Sequence, residues 1–161
     1  TCHQANLYSP NTKDRIYSIV HQMPAEEYFN LYKKCVDVQS IQFTLEDFKR
    51  FTQSSNIEII KRRHCIAILG LTDSEIEIYF IGVEEIVRGK GLGKKLLKNV
   101  ISFSKDYGAS TIILEVAVNN RLAKNTYFSL NFKECGVRKN YYSIRPGFGQ
   151  DAIIMKLNLE T

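Results

Sequence analysis

The sequence predicts an α/β fold, a mixed sheet of about seven strands flanked by about four helices. Three observations predict it. Apolar stretches of strand and helix character follow one another in the order β-α-α-β-β-β-α-β-α-β-β. An early group of strands reads as an antiparallel meander, and the later strands are separated by helices. Between them, Ile78 to Lys98 reads as strand, glycine-bearing loop and amphipathic helix in unbroken succession.

Taken in order, residues 1–13 are polar, contain Pro10 and Asn11, and are expected to form an N-terminal arm; 14–161 is expected to be a single domain. Arg15 to His21 reads as a first strand. Pro24 suits a first helical turn, and Tyr28, Leu31, Tyr32 and Cys35 follow at helical spacing through Val36. Thr44 to Asp47 has the shape of a capping box, with a short helix to about Thr52. Asn56 to Ile60 and Cys65 to Leu71 read as a hairpin across Lys61-Arg62-Arg63-His64, and Glu75 to Val83 as the next strand. The helix from about Gly91 to Tyr107 carries Leu92, Leu96, Val100, Phe103 and Tyr107 on one stripe, and Gly108 ends it. Thr111 to Val118 is a β-branched strand interrupted by Glu115. Arg121 to Leu130 reads as a helix ended by Asn131, Phe132 to Tyr142 as a strand, and Ala152 to Leu159 as the last.

Composition bounds the function. Of 161 residues 44% are hydrophobic and 24% charged, an ordinary globular balance that can bury a core without disulfides. The net charge of +5 and pI near 9.0 favour acidic ligands such as phosphates, and are too mild to indicate nucleic acid. Cys2, Cys35, Cys65 and Cys135 show no C-x-x-C spacing, and the three histidines form no ligand pattern, so no metal site is expected. Free thiols in a reducing compartment are expected, with Cys135 a buried structural thiol. No apolar run is long enough to span a membrane and no signal peptide is visible, so the expected location is cytoplasmic.

The chemistry-bearing stretch is Arg88-Gly89-Lys90-Gly91-Leu92-Gly93. Its glycines permit unusual torsions and close approach of a ligand. The helix start behind it offers unpaired N–H groups and partial positive charge. With Arg88, Lys90 and Lys94 this makes a phosphate site. A P-loop is excluded because position 84 is Glu84 and no Lys-Ser/Thr pair follows the second glycine. A dinucleotide fingerprint is excluded because the third glycine comes one residue early.

What remains, R-x-x-G-x-G between strand and helix, resembles the acetyl-CoA pyrophosphate loop of the GNAT N-acetyltransferase family. Leu114-Glu115-Val116 with Asn120, Thr126-Tyr127-Phe128, and Leu130-Asn131-Phe132 fit the same family. Asn140-Tyr141-Tyr142 and Asp151 to Met155 resemble the ending of the bacterial ribosomal-protein-alanine N-acetyltransferases (the RimI type). The resemblance covers roughly Glu75 to Leu159. It departs from the family pattern at Val87, Ala117, Asn131, Ser143 and Gln150, which puts the peptide specificity in doubt but leaves the proposed chemistry untouched.

The resemblance implies the GNAT fold, a mostly antiparallel sheet, and acetyl transfer from acetyl-CoA to an amine by direct attack in a ternary complex. The implied acceptor is a protein N-terminal α-amine, alanine on a small-subunit ribosomal protein; a lysine side chain or small-molecule amine is the alternative. The amine must be neutral, the thioester carbonyl polarised and the leaving thiolate protonated. By resemblance a backbone N–H of Ile81-Gly82-Val83 polarises the carbonyl, with Val83 favoured; Gly82 marks a bulge or a close backbone approach, unless it is a gap left for packing. Glu115 is the candidate general base, since a carboxylate among apolar residues is costly unless paired or functional. Tyr127 is the candidate general acid, with a core aromatic as the alternative. Asn120 would bond the pantetheine or be a plain helix cap. Tyr141 and Tyr142 would line the acceptor channel. This reading requires the mouth of the loop open and Glu115 and Tyr127 on one side of the sheet. Its rivals are a non-catalytic acyl-CoA sensor and a basic nucleic-acid module built on Lys61-Arg62-Arg63.

Overall fold

A computed structural model describes residues 23–37, 42–140 and 150–160. Helices α1 (Ala25–Cys35) and α2 (Leu45–Phe51) come first, then strands β1 (Ile57–Arg62), β2 (Cys65–Leu71) and β3 (Glu75–Val83). A 3₁₀ turn (Glu85–Val87) leads into α3 (Leu92–Tyr107), followed by β4 (Thr111–Ala117), α4 (Arg121–Ser129), β5 (Lys133–Arg138) and β6 (Ala152–Asn158). The element order matches the sequence reading over every described segment. Six strands form one sheet in the order β1-β2-β3-β4-β6-β5. The expected first strand, Arg15 to His21, lies outside the described residues, as do Tyr141 and Tyr142. No helix among the described residues is long and apolar enough to cross a membrane.

Local chemistry explains the elements. Asp47 N–H donates to Thr44 Oγ1 at 3.2 Å and Thr44 N–H donates to Asp47 Oδ2 at 2.7 Å, so the capping box closes around α2. Gly108 and Asn131 take left-handed torsions, φ 90° and 68°, and end α3 and α4 as their residue types suggested. The α3 stripe sits slightly off its expected centre: Leu96, Leu97, Val100 and Ser104 are buried, while Phe103 and Tyr107 are half-buried. Ser104 is tolerated inside because its hydroxyl donates to Val100 O at 2.7 Å.

Every residue of β2 is buried, which explains its continuous apolar run; helices cover both faces. On one face α1 and α2 enclose an aromatic cluster of Tyr32, Phe48 and Phe80 with neighbouring rings. The Tyr32 hydroxyl accepts from Gln42 N–H at 2.9 Å and so ties the start of α2 to α1. On the other face α3 and α4 pack Leu97, Val100, Tyr127 and Phe132 over β3, β4 and β6. Two expectations fail here. Cys135 is exposed on β5, because that edge strand has little packed over it. Gly82 marks no bulge: a Cβ there would lie 2.6 Å from Phe80 Cζ and 3.1 Å from Cys35 Cβ, so the glycine makes room for packing. The bulge falls three residues earlier. Ile68 pairs with Phe80 and Leu69 with Ile78, leaving Tyr79 as the extra residue.

Glu58 of β1 is 6% exposed, and burial pushes its carboxyl up from 4.5 to about 8. Between those values the native state keeps a proton that the unfolded chain has lost, so stability falls as pH rises through that window. Glu58→Gln should remove the dependence. In urea titrations at about pH 6 and about pH 9, the wild type should lose on the order of 2 kcal/mol more than the variant. Equal losses in both would contradict the assignment.

Candidate active site

The glycine loop is built by backbone conformation. Val87 N–H donates to Glu84 O and Arg88 N–H to Glu85 O, closing the 3₁₀ turn. Gly89 and Gly91 then take φ 79° and 78°, which cost other residues about 1–2 kcal/mol. Nothing lies within 4 Å of where a Cβ would stand on either, so the mouth of the loop is open. Gly93 differs: its φ is ordinary, and a Cβ there would meet only Val83 Cγ2 at 3.6 Å. The first helical bond of α3 is Lys95 N–H to Gly91 O, so the N–H groups of Leu92, Gly93 and Lys94 precede the helix's own ladder. Lys90 and Lys94 are exposed beside them. Oriented donors and two cations at a helix N-terminus suit an anion.

Arg88 departs from its expected place. Its Nε donates to Val83 O and its Nη2 to Cys35 O, each at 3.1 Å. Two of the guanidinium's donors are engaged by protein carbonyls, while the residue stays exposed at the start of the loop.

Beside the loop the sheet opens. β3 and β4 pair in parallel from Glu75–Thr111 to Ile78–Leu114 and no further, although β3 runs on to Val83 and β4 to Ala117. A cavity of about 1040 Å³ fills the gap, lined by Ile78 to Ile81 from one strand and Leu114 to Ala117 from the other. Successive N–H groups of a strand point to opposite edges. Glu84 N–H bonds His64 O on the β2 side at 2.9 Å, so Val83 and Ile81 direct theirs to the gap. Gly82 N–H points to β2.

Glu115, Tyr127 and Asn120 all line this cavity. They do not share a side of the sheet. Leu114 and Val116 belong to the core under α3 and α4, so alternation turns Glu115 to the face of α1 and α2. Tyr127 packs against Phe132 on the other face, ring centroids 5.7 Å apart. The expectation of one side is corrected: the two meet because the cavity passes through the sheet where the strands have parted. A smaller cavity of about 340 Å³, between Glu115, Glu77 and Phe43, adjoins it on the α1–α2 face. Glu77 is held above the ordinary carboxylate range, by burial first and then by Glu115 and Glu75.

Sequence reasoning missed Arg138, whose Nη1 donates to Glu115 Oε1 at 2.9 Å. The pair is partly open to water, with side-chain exposures of 57% and 20%, so it contributes under about 1 kcal/mol to stability and mainly orients the carboxylate. Register explains the reach. Arg138 pairs with Ala152 of β6 and Ala152 with Ala117 of β4, so two small residues leave a lane from β5 across β6 to β4. Ala117, read as a departure from the family pattern, was the signal. Asn120 caps α4, its Oδ1 accepting from Ala123 N–H at 3.2 Å, and it also lines the cavity.

The sequence model of the Acetyltransferase (GNAT) family matches residues 23–132, which hold the loop, the parted strands, Glu115 and Tyr127. The chain belongs to the GNAT acetyltransferase family. It is 33% identical over 110 residues to a ribosomal protein bS18-alanine N-acetyltransferase of Haemophilus ducreyi, covering 68% of this chain and 72% of that one. It is 36% identical over 96 residues to the protein of the same name from Salmonella typhimurium, covering 60% of this chain and 64% of that one, just under two thirds of its length. The crystal structure of the ribosomal-protein-S18-alanine N-acetyltransferase from Escherichia coli superposes with a TM-score of 0.73 at 25% identity, over 85% of this chain and 88% of that chain. The six strands and four helices among the described residues are thus the GNAT fold, close to the strand count the sequence predicted.

For this GNAT domain the cap reading of Asn120 has its own test. Asn120→Ala should lower unfolding free energy by about 1 kcal/mol, and Asn120→Asp should restore most of it. Urea denaturation measures both; an unchanged midpoint in the alanine variant would leave the cap without energetic weight.

Proposed function

We propose that the chain transfers acetyl from acetyl-CoA to the N-terminal α-amine of a protein, with alanine on a small-subunit ribosomal protein as the acceptor its relatives' names point to. The observation that carries the proposal is the through-sheet cavity where β3 and β4 part, with Glu115 at one face and Tyr127 at the other. A donor entering from the loop side and an acceptor from the α1–α2 side meet in line within it.

The loop amides from Gly89 to Lys94 hold the pyrophosphate, with Lys90 and Lys94 adding charge. The pantetheine arm then runs along the open edge of β3 toward Tyr127. Val83 N–H donates to the thioester oxygen and stabilises the charge that builds on it. The neutral amine attacks the carbonyl carbon, forming the C–N bond, and the tetrahedral species collapses by breaking the C–S bond. The amine's proton passes to Glu115, directly or through water, and Tyr127 gives its phenolic proton to the departing thiolate.

The acceptor class follows from acid–base chemistry. A terminal α-amine has a reference pKa of about 7.7–8.0 and lysine about 10.4. On the order of a tenth of the α-amine is therefore neutral at pH 7, against well under a thousandth of lysine. A modest base therefore suffices for the first.

Acetyl-CoA with a panel of acceptors, read as free thiol released, tests the assignment. An Ala-starting peptide should be the preferred substrate. Release with lysine side chains or small amines alone would move the substrate class, and CoA binding without turnover on any amine would make the chain a sensor. Glu115→Gln and Tyr127→Phe should each lower kcat by about 10²-fold while CoA affinity stays within a factor of about two. Full activity in both would remove their roles.

A further inference from the structure

Arg88 sits at the first position of the glycine loop, where its charge is expected on phosphate. Its guanidinium is engaged elsewhere, on Val83 O through Nε and on Cys35 O through Nη2. Those two carbonyls lie 48 residues apart in the chain, each next to or near residues that line the cavity, Val36 after Cys35 and Ile81 before Val83. Cys35 is the last residue of α1, and its carbonyl is among the four at a helix end that lack a helical partner. A cation there also meets the negative end of the helix dipole. Val36 and Asp37, the next two residues, line the cavity on the acceptor side. Val83 ends β3 on the donor side, and its own N–H faces the gap.

We propose that Arg88 is a positioning residue: one guanidinium clamps the acceptor-side end of α1 to the donor-side end of β3, and so sets the mouth of the cavity and the aim of the Val83 N–H. The part of this concerning Val83 rests on the reading that its N–H receives the thioester oxygen. A second contact supports the clamp. His64 O accepts the Glu84 N–H and lies 3.9 Å from Cys35 Sγ, so the end of α1, the β1–β2 turn and the end of β3 converge beside Arg88. Lysine cannot replace it. The two carbonyls lie along different directions of a planar fork, and an ammonium on a flexible stem is a point donor with no such preset geometry.

The clamp and a phosphate contact make opposite predictions for a donor without phosphates. Wild type, Arg88→Lys and Arg88→Gln are assayed with acetyl-CoA and with acetyl-pantetheine, using whichever amine the wild type acetylates best. Both variants should lose about 10–100-fold in kcat with either donor, and the KM for the amine should rise. CoA affinity by calorimetry should stay within about twofold, with an unchanged salt dependence. A loss confined to acetyl-CoA, or a tenfold fall in CoA affinity with a flatter salt dependence, would place Arg88 on phosphate and overturn the clamp. Lowered melting temperature with undiminished kcat per folded molecule would reduce it to a fold contact, and full rescue by lysine would also overturn it. Failure of the N-terminal substrate assignment shows separately, as a wild type that ignores the Ala-starting peptide. The calorimetric arm needs no acceptor.

Discussion

The structure depends on two parallel strands that stop pairing. Four residue pairs join β3 and β4, and then the strands run on apart. Each strand beyond that point keeps its other partner, β2 for β3 and β6 for β4, so the sheet opens without losing its frame. Backbone donors that would have closed a ladder are left facing a cavity. An unpaired N–H inside a protein is costly, and here it is placed where a carbonyl oxygen can satisfy it. The Tyr79 bulge lies one residue beyond the last paired position, Ile78. An extra residue there increases local twist, which is the physical means by which β3 turns away from β4.

The opening also resolves how two catalytic candidates on opposite faces serve one reaction. A closed sheet would separate Glu115 from Tyr127 by its full thickness. A parted one lets both line a single cavity. Arg138 extends this arrangement: it approaches Glu115 over Ala152 and Ala117, along the acceptor face only.

Much of this was legible in the residues. Turn and cap chemistry acts over three or four residues, so the Thr44 box, Gly108, Asn131 and the left-handed Gly89 and Gly91 could be read locally. The bounds of β3 could be read because one apolar stretch lies between a turn and a glycine loop. The contacts of Arg88 could not be read, and the two readings of Gly82 could not be separated, because part of what surrounds them comes from α1. A loop arginine looks like a phosphate ligand until Cys35 O stands beside it, and a strand glycine looks like a bulge until Phe80 and Cys35 fill the space. Cys135 failed for another reason: a thiol is commonly buried, but β5 lies at the sheet edge.

By itself, the sequence determined the elements, their order, the anion-binding character of the loop and the residue types available for acid–base work. These rest on torsional preference and periodicity, which act between near neighbours in the chain. Only the tertiary structure decided that the sheet splits, that Glu115 and Tyr127 meet through it from opposite faces, and that Arg88 and Arg138 bind protein atoms. Those outcomes depend on strand order and register, which bring together groups tens of residues apart and which no local preference encodes.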